Sequence, residues 1–260
     1  VLIYARTRRS VESWAKRLSE NGVEAIAYHA GMDPESRALA LTHFQEHEMP
    51  VLVATVAFGM GVDRPDVGLV LHLDLPSSAE GYLQESGRAG RDGLPARCLV
   101  LFHPDDRSSL AWAIRSSAEE SGDPQDRTRA ELSQQQLRRT EAVAEGAGCR
   151  EQALLLSVGE LVPPCGRCDR CSQTPRWTDW SDQASQVLEL LDQRSGVDLR
   201  SLGEDLAKAE GDEVDQWRWL ARRLVQEDLI SESDDGSQRL WLRPAGRRFL
   251  RQPWTLKLAA

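Results

Sequence analysis

An α/β lobe, a small metal-held module and a helical domain ending in a hairpin are predicted by three observations. Residues 1–118 alternate short apolar runs with amphipathic stretches. Four cysteines, Cys149, Cys165, Cys168 and Cys171, follow with metal-ligand spacing. From Ser181 onward, three amphipathic stretches precede two apolar runs that flank Asp234-Asp235-Gly236. A length of 260 residues accommodates two domains and a small third module. The expected boundaries are 1–118, 119–175 and 181–252.

In the first segment, Val1–Ala5, Ala25–Tyr28, Val51–Ala54, Leu69–Leu73 and the run around Leu99 read as strands. Val11, Trp14, Ala15 and Leu18 fall at helical spacing, and Gly22 closes that helix. Asp33-Pro34 caps and starts a second helix reaching Glu46, and a third runs from Ser77 to Ser86. Strands that are apolar throughout and alternate with helices indicate a parallel sheet covered on both faces. Such sheets bind ligands in the loops at the carboxyl ends of their strands. Cys98, in an apolar run, is expected to be buried.

Gly122–Ala147 is polar and reads as a helical connector, and Pro175–Trp180 as a linker. Val187–Leu191, Leu199–Leu206 and Val214–Leu224 mark three helices. Leu229–Ser231 and Arg239–Leu242 form the expected hairpin. Three helices followed by a hairpin is a winged-helix order.

The segment Cys165-Gly166-Arg167-Cys168-Asp169-Arg170-Cys171 has no apolar content to bury, so packing alone does not shape it. Four thiolates closing a tetrahedral zinc site would, and a site without an open position is structural. An iron–sulfur cluster is the competing reading. Ferredoxin runs, however, continue to a fourth Cys and Pro, whereas Cys171 is followed by Ser172-Gln173-Thr174.

Net charge is −9, which argues against nucleic-acid coating by bulk attraction but not against a local basic groove. No apolar run approaches the roughly 18 residues that span a bilayer, so a soluble, intracellular (cytoplasmic or nucleoid) protein with no membrane partner is expected. The chain starts at Val1 without an initiator Met, which suggests a fragment.

Three loops carry candidate chemistry: Tyr28–Met32, Ala54–Pro65 and Gln84–Gly93. In the last, Arg88 and Arg91 lie three apart among Gly87, Gly90 and Gly93. Two guanidinium forks at a glycine-lined edge suit the oxygens of a phosphoryl group in transit. A surface turn with two solvated arginines is the plainer alternative. Thr55 offers a hydroxyl to a nucleic-acid phosphate, and Asp63 a carboxylate to a ribose. Asp63 as a simple turn cap, and His29 as an ordinary satisfied histidine, remain open.

Tyr4–Arg8, then YHAGM at 28–32, ATVAFGMGVDRPDV at 54–67 and YLQESGRAGRDG at 82–93 together resemble the second motor lobe of RecQ-family DNA helicases. The resemblance continues through the cysteines and, more loosely, into the winged helix. It implies a RecA-like lobe, a zinc module and a winged-helix domain of an ATP-driven motor that unwinds duplex DNA 3′-to-5′ in repair and recombination. Arg88 and Arg91 would face the ATP γ-phosphate, with Gly61, Asp63 and Gln84 near the nucleotide. Arg8, His29 and Thr55 would line the single strand, and Arg218, Arg222 and Arg223 of the third helix are candidates for duplex contact. Implied cofactors are structural Zn2+, ATP and Mg2+; implied partners are single-stranded and duplex DNA.

The sequence also departs from that pattern. None of its three lysines follows a glycine, so no phosphate-binding Gly-x4-Gly-Lys loop exists in these 260 residues. ATP and Mg2+ are therefore expected on a first lobe outside this chain, which alone should not hydrolyse ATP. Ala5 and Gly68 stand where the family has cysteine and arginine. The hairpin turn Glu232–Gly236 is acidic and lacks an aromatic wedge. A non-enzymatic DNA-binding or adaptor module that keeps the lobe as a scaffold is the alternative reading.

Overall fold

The computed structural model describes all residues except 56–63, 104, 174–175, 212, 234, 236 and 260, with backbone alone for residues 105 and 124. Gly61, Asp63, Asp234 and Gly236 therefore lie outside what is described. The chain folds as two compact units. One comprises Val1–Arg107, Gln135–Ala144 and Leu154–Glu160; the other comprises Ser108–Gln134, Glu145–Ala153 and Leu161–Ala260.

The first unit opens with β1 (Leu2–Tyr4), α1 (Arg8–Glu20), β2 (Ala25–Tyr28) and α2 (Pro34–Glu46). It continues with β3 (Val51–Ala54), β4 (Leu69–His72), α3 (Ala79–Ser86) and β5 (Arg97–Val100). All five strands are parallel, in the order β2-β3-β1-β4-β5. Alternate side chains face opposite sides of the sheet. Leu2, Tyr4, Leu52 and Ala54 accordingly pack with Phe44 of α2 on one face. Ile3, Ala5 and Val53 pack with Val11 and Ala15 of α1 on the other. The two-sided cover expected from the sequence is present. Both helix starts are capped by side chains: Thr7 accepts from the Ser10 N–H at 3.1 Å and Asp33 from the Ser36 N–H at 2.8 Å.

One expectation about this sheet fails. Cys98 is exposed, as are Arg97 and Leu99 beside it. The run Cys98-Leu99-Val100-Leu101 is apolar enough for a central strand, but β5 lies at the edge of the sheet.

The remaining helices are α4 (Asp105–Ser121), α5 (Pro124–Glu145), α6 (Arg150–Ser157) and the short α7 (Asp169–Ser172). Beyond them come β6 (Trp177–Asp179), α8 (Ser181–Gln193), β7 (Val197–Asp198), α9 (Leu199–Glu210) and α10 (Val214–Gln226). The chain ends with β8 (Ile230–Glu232), β9 (Arg239–Leu242), α11 (Pro244–Arg251) and β10 (Lys257–Ala259). The three expected helices surround one apolar core in which Trp217, Leu220, Leu188 and Phe249 are fully buried. β8 and β9 pair antiparallel, and β7 adds to β9, giving the order β7-β9-β8.

The segment read as a linker is in part a strand. β6 pairs antiparallel with β10, Thr178 opposite Leu258. The partner strand lies some eighty residues away, so no local pattern marks the pairing. Trp180 then packs on Trp219 with ring centroids 5.0 Å apart. Among the described residues, no helix is long and apolar enough to cross a membrane.

Candidate functional site

The parallel sheet delivers its chemistry at the carboxyl ends of the strands. Arg8 follows β1, His29 follows β2 and Thr55 follows β3, on three adjacent strands. Arg8 is exposed and lies across Gly31, where an added Cβ would come within 2.9 Å of its Nη1. The glycine of the Tyr28–Met32 loop is thus the space in which Arg8 rests. His29 is only 4% exposed, and its Nε2 lies 3.0 Å from Glu12 Oε1. The loop turns back on itself as the Met32 N–H donates to the His29 carbonyl at 3.1 Å. Thr55 is buried, and its N–H donates to the Tyr28 carbonyl at 3.2 Å.

Beside these positions lies a buried polar cluster that sequence reasoning missed. His72, last residue of β4, bonds through Nε2 to Glu85 Oε2 of α3 at 2.7 Å. Tyr4 stacks on the imidazole at 5.0 Å between centroids, and Tyr82 meets it at 5.0 Å from another direction. A histidine ending an apolar strand, followed by a glutamate within a helix, was the available signal. Arg88, three residues past Glu85, is half-buried and hydrogen-bonds to the Tyr4 phenol. Burial pushes the Tyr4 hydroxyl up to about 12 despite the opposing Arg88 charge, and burial does the same to Tyr82.

The Gln84–Gly93 loop is fastened by its backbone to the segment that leads into β4. The Gly90 N–H donates to the Val67 carbonyl at 3.0 Å and the Asp92 N–H to the Pro65 carbonyl at 3.2 Å. Gly90 has φ +62 and Gly93 φ +80, left-handed positions that side chains resist. At Gly90 a Cβ would also press within 2.9 Å of the Leu94 carbonyl. Arg91 and Gln84 are exposed, and Arg91 Nε donates to the Gly87 carbonyl at 3.3 Å. One guanidinium is therefore held against the sheet, while the other stands at its surface.

The third-helix arginines do not behave as expected. Arg222 is 6% exposed, which removes it as a surface for duplex contact; Arg223 is equally buried. Arg223 donates to the Glu145 carbonyl at 3.1 Å and to Gln226 Oε1 at 2.6 Å. Arg218 is more accessible, pairs with Asp215 at 3.2 Å and packs over Gly203 of α9.

In the second unit all four cysteine sulfurs lie within 4.8 Å of one another. Backbone N–H groups point at them. Cys149 Sγ accepts from Cys165 at 3.2 Å and Gln152 at 3.4 Å, Cys165 Sγ from Cys168 at 3.4 Å, and Cys168 Sγ from Arg150 at 3.4 Å. Burial opposes the Cys149 thiolate, yet the Cys165 and Gln152 N–H groups bring it down to about 6. The Gly166 N–H favours a thiolate at Cys171, but burial and hydrogen bonds to the other three sulfurs push it up to about 12. Arg150 grips Asp169 at 3.0 Å and Arg167 grips Glu151 at 2.8 Å, tying the cysteine turn to α6. Four thiolate donors with their own N–H partners fit a closed tetrahedral zinc site and leave no coordination position for a substrate.

Residues 1–93 match the family model of the helicase conserved C-terminal domain, and residues 104–172 match that of RecQ zinc-binding. Together with the relatives below, these matches support a RecQ-family helicase C-terminal portion. It is 41% identical over 159 residues to the ATP-dependent DNA helicase RecQ of Haemophilus influenzae, covering 61% of this chain and 25% of that protein. The RecQ helicase of Bacillus subtilis is 35% identical over 167 residues, covering 64% and 27%. The ATP-dependent DNA helicase Q5 of Rattus norvegicus is 37% identical over 174 residues, covering 64% and 17%. This chain thus spans roughly a quarter or less of these relatives. Among solved structures, the Escherichia coli DEAD-box protein SrmB bound to RraA aligns at 32% identity, over 39% of this chain and 59% of that one, with a TM-score of 0.37. The four cysteines fall within the zinc-binding match, which supports a structural zinc ion in this module.

Two outcomes are expected. Removing the metal with a chelator should expose residues 149–172 to protease while the parallel sheet stays intact; an unchanged cleavage pattern would contradict a structural ion. The Tyr4 and Tyr82 hydroxyls are raised from 10.0 to about 12 by folding, so their contribution to stability is complete below pH 10 and is lost as pH rises toward 12. The denaturation midpoint should fall across that interval as phenolate absorbance appears. Complete ionisation of both near pH 10 in a folded chain would contradict their burial.

Proposed function

We propose that this chain supplies the second RecA-like motor lobe (1–118), zinc module (119–175) and winged-helix domain (181–252) of an ATP-dependent DNA helicase. The activity proposed is 3′-to-5′ unwinding of duplex DNA in repair and recombination, with ATP and Mg2+ held chiefly by a first lobe that these residues do not include. The observation that carries the reading is the Gln84–Gly93 loop. Its backbone is locked at Val67 and Pro65 to the segment entering β4, with Arg88 tied to Tyr4 and Arg91 exposed. A guanidinium held at the surface of a rigid edge stabilises charge on a transferring phosphoryl group without reorganising at the moment of reaction.

In this reading Arg91 and Arg88 act on the γ-phosphate, and Gly61, Asp63 and Gln84 lie near the nucleotide. Arg8 and Thr55 meet the single strand. His29, buried against Glu12, sets the loop that receives it rather than touching bases. The helices and hairpin of the second unit occur in winged-helix order, and Arg218 is the remaining duplex candidate on α10.

The test is steady-state ATP hydrolysis and DNA binding by the full-length gene product. Arg91→Ala should lower DNA-stimulated ATP turnover by about 10³-fold or more while DNA affinity changes by less than about tenfold. Equal losses in both would move Arg91 to the DNA track. Undiminished turnover would favour the adaptor reading.

A further inference from the structure

A second cluster of metal-ligating side chains lies on the first unit, at the amino ends of β2 and β3, away from the strand ends that carry Arg8, His29 and Thr55. Glu24 immediately precedes β2, while His43 and His47 stand at the end of α2, just ahead of β3. The two imidazoles are four residues apart on the helix and stack with centroids 3.4 Å apart and planes 25° from parallel. Glu24 Oε1 lies 3.9 Å from His43 Nε2. One ligand atom from each of the three residues falls within 4.8 Å of the others.

The backbone beneath these rings is fixed. Arg64 Nη1 donates to the Phe44 carbonyl at 2.6 Å and the His47 carbonyl at 2.7 Å, closing the helix end. Its charge is met by Asp66, whose two oxygens lie 2.7 and 2.8 Å from the guanidinium. The Arg64 charge is therefore already met, and a helix carboxyl end favours positive charge.

We propose that Glu24, His43 and His47 form a surface site for a divalent transition-metal ion of the zinc type. Two imidazoles and a carboxylate suit zinc, nickel or copper; magnesium and calcium prefer all-oxygen sets. Three protein ligands leave the rest of the coordination sphere to water, so the ion exchanges freely, unlike one enclosed by four thiolates. Bound there, it ties the end of α2 to the start of β2. The site shares no residue with the cysteine cluster or with the phosphate-facing loop.

The test is zinc stoichiometry and affinity by titration calorimetry, with elemental analysis of the same samples. The chain is expected to hold one tightly bound zinc and to take up a second, weaker equivalent. His47→Ala and His43→Ala should each weaken the second by at least tenfold, since losing even an outer partner of a ligand costs about 10–100-fold. Both should keep the first equivalent. His47 is exposed at the helix end, so that variant should retain the native circular dichroism and serves if His43→Ala misfolds. Saturation of the unaltered chain at one equivalent overturns the site. So does a second equivalent that His47→Ala leaves at full affinity.

Discussion

The lobe depends on one buried polar bond. His72 ends β4, Glu85 lies inside α3, and their 2.7 Å contact fixes the helix to the end of its strand. Two tyrosines enclose the imidazole, which excludes the water that would otherwise compete for the bond. Arg88 follows Glu85 by less than one helical turn and reaches the phenol of the same Tyr4. Removing either member of the buried pair would leave its partner unsatisfied at a cost of about 1–3 kcal/mol. It would also loosen the last turn of α3, from which the loop bearing both arginines begins. Position at this edge is thus inherited from the core of the sheet.

The zinc module solves a similar problem with a different bond. Its cysteine turn has almost nothing apolar to pack, so N–H groups, two arginine–carboxylate bridges and the ion give it shape. Cys149, buried at the start of α6, links that turn to the helix through the hydrogen bond from the Cys165 N–H. Order here depends on coordination and hydrogen bonding more than on the hydrophobic effect.

Much of this was legible in the residues. Apolar runs located every strand of the parallel sheet, Asp33-Pro34 marked a helix start to the residue, and cysteine spacing marked the metal site. What escaped was non-local. Cys98 looked like a core residue because composition does not reveal which strand is at the edge. Trp177–Asp179 looked like a linker because its partner, Lys257–Ala259, is distant in sequence. Arg222 looked like a DNA contact because a helical pattern does not show which charged positions the tertiary packing buries. His72 and Glu85 went unremarked because two polar residues thirteen apart announce no pairing until strand and helix are set side by side.

The central claim is that the Tyr4 cluster holds Arg88 for action on the nucleotide. Its most direct test is Tyr4→Phe in the full-length protein, which keeps the ring stack and deletes only the hydroxyl that Arg88 meets. A hydrogen bond to a charged group contributes about 1.5–3 kcal/mol. The account therefore predicts a fall in kcat for ATP hydrolysis of roughly tenfold or more in a variant that stays folded under assay conditions, with DNA affinity little changed. Unaltered kcat, or a loss of turnover that only follows a loss of stability, would contradict it.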